Sequence, residues 1–280
     1  MLGDLLTMGL VGSLRAVLAL PLEHPFEYLK TRKQNQPHLS ARTLLLSDLR
    51  NFGFSQLYRG ASVNLVKEAV RSFYRLPAMV TLPILIEERF SLSYTKANAA
   101  AGLLIALAES CLLCPLERLK VWLITSPAHT SLSAFFLQAG VIHQLYKGLA
   151  PVAARQVTSW VTFLSSNAYL RRLLGMHEDT GVEVWKLLWI SLGSAVVNIA
   201  FVMPLDFIKT RKQSFGQSEQ SILQVLRSAT QSAPTLPLKV VRAYSGSTVR
   251  LLHYILNAFL TTPLLELFDR QTRSKWVNAR

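Results

Sequence analysis

An all-α membrane protein of six transmembrane helices, built as three pseudo-threefold repeats each with a short surface helix, is the fold class that the sequence predicts. Three features point to it. A ten-residue stretch recurs along the chain, six apolar segments approach the thickness of a bilayer core, and ionisable residues inside those segments fall at helical spacing.

The recurring stretch reads Pro25-Phe26-Glu27-Tyr28-Leu29-Lys30-Thr31-Arg32-Lys33-Gln34. It returns as Pro115-Leu116-Glu117-Arg118-Leu119-Lys120 and as Pro204-Leu205-Asp206-Phe207-Ile208-Lys209-Thr210-Arg211-Lys212-Gln213. The copies start about 90 residues apart, which marks an internal repeat. In each, a proline follows an apolar segment, an acid stands two positions on and a lysine five on. The proline removes a backbone donor and bends a helix. The acid and lysine lie one turn apart and share a side. Repeat boundaries at 1–96, 97–183 and 184–280 follow from this spacing.

Half of the 280 residues are hydrophobic and mean hydropathy is +0.29, yet the formal charge is +14 and the pI near 10.1. Such a balance fits a nucleic-acid binder, a membrane protein with basic flanks, or a transporter of anions. The cations are spread between apolar runs and no recognition module is readable, so no nucleic-acid partner is expected. Cys111 and Cys114 stand alone in an apolar segment and read as buried thiols rather than a zinc or redox site. The first cation is Arg15, so neither a secretory signal nor an Arg-rich presequence is read, and internal targeting information is expected.

The first apolar segment, 4–24, runs from Asp4 to His24 and is broken between them by Arg15 and Glu23; about twenty helical residues span a bilayer core. The others are 62–86, 97–115, 149–170, 184–204 and 247–268. Arg15, Lys67, Arg71, Glu109, Arg155, Arg250 and His253 lie within them. Ionisable groups in a bilayer are costly unless they face a wet interior, so a central water-filled cavity is expected. Glu23 and Arg172, near segment ends, are expected to snorkel instead.

The even-numbered segments each carry one polar stripe: Asn64, Lys67 and Arg71; Arg155, Ser159, Thr162 and Ser166; Arg250, His253, Asn257 and Thr261. The odd-numbered ones are drier, with Glu109 and Asn198 six residues before their prolines. Gly12, Gly102 and Ser191 lie thirteen before and are expected to permit close helix approach. Between odd and even segments lie short amphipathic stretches, Leu44 to Phe54 and Leu132 to His143, closing on Tyr58-Arg59-Gly60, Tyr146-Lys147-Gly148 and Tyr244-Ser245-Gly246. The third connection is longer, and its Pro234 and Pro237 predict irregular backbone.

The three proline hexads resemble the mitochondrial carrier signature P-x-[DE]-x-x-[KR]-x-[KR], and the spacing covers essentially the whole chain. The second copy departs from it, with Trp122 where a second basic residue is usual, so the chain is similar to a divergent member. The resemblance implies a multi-pass protein of the mitochondrial inner membrane working by alternating access. Its gate would pair Glu27 with Lys120, Glu117 with Lys209, and Asp206 with Lys30. It places substrate contacts about two turns after each aromatic-x-Gly, which gives Lys67, Arg155 and His253, with Gln156, Arg71 and Arg250 beside them. It also implies cardiolipin near the short surface helices, and a monomer is expected.

These cations suit a multiply charged anionic metabolite, because Arg offers a planar fork to phosphate or carboxylate and Lys a point charge. The first expectation is a nucleotide such as ATP or ADP, with Tyr74 and Tyr254 stacking on the base. The divergence resembles a nucleotide carrier that an intracellular bacterial pathogen delivers to host mitochondria. The alternatives are a keto acid or dicarboxylate, which the Arg155-Gln156 pair resembles, and a non-transporting membrane scaffold on the same fold. A second gate would need acid–base sets on the even helices. Glu87 to Arg89, Arg171 to Arg172 and Glu266 to Asp269 do not make three, so exchange is expected to be less than strictly symmetric. No nucleophile–base arrangement, metal cluster or phosphate-binding Gly-rich loop is readable, so neither enzyme activity nor a cofactor is expected.

Overall fold

The computed structural model describes residues 2–175, 184–216 and 241–257, with isolated positions 221, 224, 225, 235 and 259. Arg15's side chain, Pro234, Pro237, Thr261, Glu266 and Asp269 lie outside the described residues. The elements are α1 (Leu2–Asn35), α2 (Ala41–Phe52), a 3₁₀ turn (Phe54–Tyr58), α3 (Ala61–Phe90) and α4 (Tyr94–Thr125). There follow α5 (Ser133–Phe136), α6 (Val141–Leu145), α7 (Leu149–Leu173), α8 (Val184–Gln213) and α9 over 247–257. No strand occurs among the described residues.

The odd helices run through their motif prolines: Pro25 lies inside α1, Pro115 inside α4 and Pro204 inside α8. Each helix therefore carries its acid and lysine on its last turns. A proline leaves the carbonyl four residues back without its helical donor. In the first and third repeats that carbonyl is answered from outside. Tyr58 Oη donates to Pro21 O at 2.8 Å, and Tyr244 Oη donates to Ala200 O at 2.7 Å. In these two repeats the aromatic of the aromatic-x-Gly thus repairs the defect that the motif proline makes in the preceding helix.

The glycines of the same tripeptides start the even helices. Gly60, Gly148 and Gly246 have φ of +79°, +85° and +89°. Each also lies against the odd helix of the next repeat: Gly60 faces Lys120 O, Gly148 the Gln213 side chain and Gly246 Lys30 O. Gly148→Ala is expected to cost about 1–2 kcal/mol for the left-handed backbone alone. A Cβ there would also meet Gln213 Cγ at 3.2 Å. A lowered thermal-unfolding midpoint in detergent checks this.

The surface stretches are held differently in the two repeats where they are described. Asp48 of α2 accepts from Tyr28 Oη at 2.9 Å and from Arg32 Nη2 at 2.9 Å. In the second repeat Trp122 stands in place of Arg32's counterpart. It packs edge-on to Phe135 of α5, with centroids 5.2 Å apart, and to Phe215 at 5.7 Å. The departure from the motif replaces an ion pair with an aromatic cluster. The expected single amphipathic stretch from Leu132 to His143 is instead two short helices, split at Gly140, whose φ is +67°.

Helices α1, α3, α4, α7 and α8 pack in that order. α9 closes the circle, with Arg250 on Asp206 of α8 and Asn257 Nδ2 donating to Glu23 Oε1 of α1 at 2.8 Å. The circle is inverted in polarity relative to a water-soluble bundle. Leu10, Leu14, Leu18 and Leu22, four apart on α1, face outward at 62%, 59%, 69% and 53% exposure, while Lys67, Glu117, Lys120 and Asp206 are buried. Apolar side chains outside and charges inside are what a lipid-immersed helix ring requires. Among the described residues, Phe54–Phe90, Tyr94–Thr125 and Trp185–Gln213 are long and apolar enough to cross a membrane. α1 and α7 match them in length or nearly so, and Glu23, Glu27, Lys30 and Arg155 on them line the central cavity.

Close helix approach falls at partly different positions from those expected. On α1, Gly12 is buried, Gly9 lies against Phe73 O of α3, and Ser13 Oγ donates to Ala69 O at 3.0 Å. Gly102 does lie against Trp160 and Leu164. In the third repeat Gly193 meets Leu170, while Ser191 faces the central cavity.

Candidate functional site

The circle of helices encloses a cavity of about 490 Å³. All twelve site residues singled out from the sequence lie on its wall: Glu27, Lys30, Lys67, Arg71, Glu117, Lys120, Arg155, Gln156, Asp206, Lys209, Arg250 and His253. They project inward because acid and lysine of each motif sit one turn apart on an odd helix, while the even-helix cations continue a stripe of period 3–4.

At the motif end three ion pairs link successive repeats. Lys120 Nζ lies 2.8 Å from Glu27 Oε2, Lys209 Nζ 2.6 Å from Glu117 Oε2, and Lys30 contacts Asp206. These pairs form a closed circuit from α1 to α4 to α8 and back to α1. Buried pairs hold only when each charge is well met, because desolvation can exceed the Coulomb gain.

Above this circuit the even-helix bases reach down to the same acids. Arg155 Nη2 lies 3.4 Å from Glu117 and its Nε 3.6 Å from Asp206, so one guanidinium spans two repeats. Arg250 contacts Asp206, Lys67 Nζ lies 4.0 Å from Glu117, and His253 Nδ1 lies 3.7 Å from Glu27. Arg155 is held from behind: its Nη2 donates to Gln156 Oε1 at 2.8 Å, and the Gln156 amide donates to Glu109. Glu109 is 1% exposed and lies 3.5 Å from Arg75 Nε.

Three residues that the sequence reasoning did not select complete the wall. Arg75 lies over the Trp160 ring at 4.8 Å and extends the α3 stripe by one more turn past Arg71, so the same periodicity carried the signal. Glu68 bridges Lys67, at 2.9 Å, and Arg71. Glu23, expected to snorkel, faces the cavity instead. Its register on α1 is one turn before Glu27, and Asn257 donates to it. Arg172 is exposed at the end of α7.

Two further expectations change. Tyr74, one of the two rings assigned to stacking, does not line the cavity. Tyr254 lines it, but its hydroxyl accepts from Arg250 Nη2 at 2.7 Å and donates to Asn198 Oδ1 at 3.3 Å. The Arg250 guanidinium lies 5.2 Å from the ring centroid. Of the two rings, Tyr254 alone borders the cavity, with the Arg250 guanidinium over it.

Eight basic side chains and five carboxylates line the cavity, a formal excess of three positive charges among the described residues. Arg71 and Arg75 on α3 are 30% and 33% exposed, whereas in the ion-pair circuit Asp206, Lys120 and Glu117 are 2%, 4% and 7% exposed and Glu27 23%. Solvent therefore reaches the cavity from the end opposite the ion-pair circuit. The site can draw in an anion with several negative charges, offer it forked guanidinium donors and exclude it from the far side.

Comparison with known proteins gives matches along much of the chain. Residues 4–82 and 93–178 match the family described as mitochondrial carrier protein. The tricarboxylate transport protein of Saccharomyces cerevisiae is 24% identical over 238 residues, covering 76% of this chain and 79% of the yeast protein. Mitochondrial glutamate carrier 2 of Rattus norvegicus is 24% identical over 238 residues, covering 72% and 74%. The mitochondrial S-adenosylmethionine carrier protein of Danio rerio is 29% identical over 127 residues, covering 45% and 48%.

Proposed function

Because the chain belongs to the mitochondrial carrier family, and so is a multi-pass transporter of the inner membrane rather than an enzyme, we propose that it moves a polycarboxylate anion through the cavity by alternating access. The single observation that carries this reading is the excess of three positive charges on the cavity wall. Forked donors such as Arg155 and Arg250 suit carboxylates, and of the two tyrosines offered for stacking on a base only Tyr254 borders the cavity, with Arg250 over its ring. The names of the yeast and rat relatives point the same way. The units that move are three repeats, 1–96, 97–183 and 184–280, around one cavity. The gate is the circuit Glu27–Lys120, Glu117–Lys209 and Asp206–Lys30. The contacts for the anion are Lys67, Arg71, Arg155, Gln156, Arg250 and His253.

A substrate shifts a two-state equilibrium only through its differential affinity for the two states. Here the even-helix cations already rest on the gate acids, so an anion that takes those cations also weakens the circuit below it. The opposite end offers a weaker closure: Arg171 is exposed and its Nε donates to Asn167, an uncharged partner, at 2.8 Å. Exchange is then asymmetric, and equal uptake and efflux rates in liposomes of known orientation would reject that asymmetry. The carrier works as a monomer, with an anionic lipid such as cardiolipin beside α2 and α5. Equal thermal stabilisation by cardiolipin and by a zwitterionic lipid would reject the lipid site.

The test of the substrate is a panel of radiolabelled citrate, dicarboxylates, glutamate and ATP offered to reconstituted protein. Uptake of citrate or a dicarboxylate is expected. Uptake of ATP alone would replace this reading with the nucleotide one, and uptake of none would favour a scaffold. Lys67→Ala is expected to lower uptake about tenfold, the loss of roughly one charge-assisted contact, without preventing membrane insertion. Unchanged initial rates in that variant would remove Lys67 from the site.

A further inference from the structure

We propose that Glu109 and Asn198 are positioning residues that hold the guanidinium groups of Arg155 and Arg250 as a matched pair for the transported anion. The inference rests on the transport reading above and deepens its binding site. Glu109 and Asn198 occupy the same place in two repeats, six residues before the motif prolines Pro115 and Pro204. Both are polar side chains buried in long apolar helices, at 1% and 5% exposure. Burying a polar group is costly unless a partner meets it.

Each is the root of a hydrogen-bonded chain that ends on an arginine of the even helix that follows. From α4, Glu109 accepts from Gln156 Nε2, and Gln156 Oε1 accepts from Arg155 Nη2 at 2.8 Å. From α8, Asn198 Oδ1 accepts from Tyr254 Oη at 3.3 Å, and Tyr254 Oη accepts from Arg250 Nη2 at 2.7 Å and Nε at 3.0 Å. Asn198 is itself anchored to α7, its Nδ2 donating to Ser159 O at 3.1 Å and Thr162 Oγ1 at 3.0 Å. Glu109 does not border the main cavity, so it acts on an anion there only through Gln156. In the first repeat the equivalent residue is Ala19, which has no polar side chain, and Lys67 and Arg71 are bridged instead by their own neighbour Glu68.

Both arginines also rest on one carboxylate. Arg155 Nε lies 3.6 Å from Asp206 Oδ1, and Arg250 Nη1 contacts Asp206 Oδ2. The chains grip Nη2 of each arginine while Asp206 takes a different nitrogen, and a guanidinium held at two of its nitrogens keeps one plane. Ordering a long cationic side chain at the moment of binding costs affinity, and ordering it beforehand removes that cost. Two guanidinium forks from α7 and α9, fixed around a shared acid, form a ready receptor for an anion with two neighbouring carboxylates.

The experiment is the concentration dependence of initial uptake in reconstituted carrier, with radiolabelled citrate, dicarboxylates, glutamate and ATP as probes. For any probe that enters, Glu109→Ala and Asn198→Ala should each raise KM about threefold to tenfold. Maximal rates should stay near those of wild type, because the arginines remain and only their order is lost. Glu109→Gln should recover most of the loss, since its amide oxygen still accepts from Gln156. Tyr254→Phe cuts the second chain at its middle, so it should raise KM as Asn198→Ala does, and the two together little further. Unchanged KM in both alanine variants, or equal KM in Glu109→Gln and Glu109→Ala, overturns the proposal. If no probe enters, the transport reading has failed instead, and modification of the arginines by phenylglyoxal in detergent, mapped by mass spectrometry, decides the positioning. Glu109→Ala should speed modification of Arg155 alone and Asn198→Ala that of Arg250 alone; unchanged rates, or both arginines speeding together in either variant, overturn the proposal.

Discussion

Arg155→Ala is expected to reduce uptake about a hundredfold or more while the protein still inserts. The guanidinium touches Glu117 at 3.4 Å and Asp206 at 3.6 Å, and Gln156 and Glu109 hold it in place. Truncating one partner of a buried charge pair costs roughly 2–5 kcal/mol, much of it from the charges left behind. Here two acids from different repeats lose a counter-charge at once, and the proposed anion loses a forked donor. Arg155→Lys is expected to recover little, because a point charge cannot serve both acids and a substrate carboxylate. Initial rates of citrate uptake in liposomes of equal protein content check this; near-normal rates in Arg155→Ala would remove the residue from the site.

Among the gate acids, Asp206→Asn is expected to destabilise the protein most. Asp206 is 2% exposed and meets Lys30, Arg250 and Arg155, so neutralising it leaves three cations facing one another. Breaking a buried pair from one side costs roughly 3–5 kcal/mol. Glu117→Gln should rank next, since that side chain is 7% exposed and meets Lys209 at 2.6 Å and Arg155 at 3.4 Å. Glu27→Gln should be mildest, because at 23% exposure solvent screens the unpaired Lys120. Thermal-unfolding midpoints should therefore fall in the order Asp206→Asn, Glu117→Gln, Glu27→Gln. A uniform loss across the three would mean that the repeats carry the load equally, contrary to the observed burial.

Much of the fold was legible because a motif written three times fixes six helix positions at once, and because polar stripes of period 3–4 cannot face lipid. The cavity-facing bases were legible for the same reason. What escaped depends on contacts between distant segments. Glu23 looked like a snorkelling acid because its depth in the segment can be read from sequence, but its facing is set by α9, more than two hundred residues away. The bond from Tyr244 to Ala200 O depends on a carbonyl that only a continuous helix through Pro204 leaves open. Trp122 reads as a departure from the motif in the sequence, whereas its role depends on Phe135 and Phe215 packing around it. Arg75 and Glu68 were within reach of the α3 periodicity, and following the stripe one turn further finds Arg75.

The account depends on which side of each helix is wet. In a background with Cys111→Ser and Cys114→Ser, single cysteines at Ser159 and Ser191 on the cavity wall and at Leu10 and Leu18 on the outer face would be exposed to a membrane-impermeant thiol reagent. A thiol reacts as the thiolate, which lipid does not support. Rapid labelling at 159 and 191, slowed by the transported anion, with none at 10 and 18, is the predicted result. Labelling at 10 and 18 with 159 and 191 inert would contradict an inward-facing charged cavity.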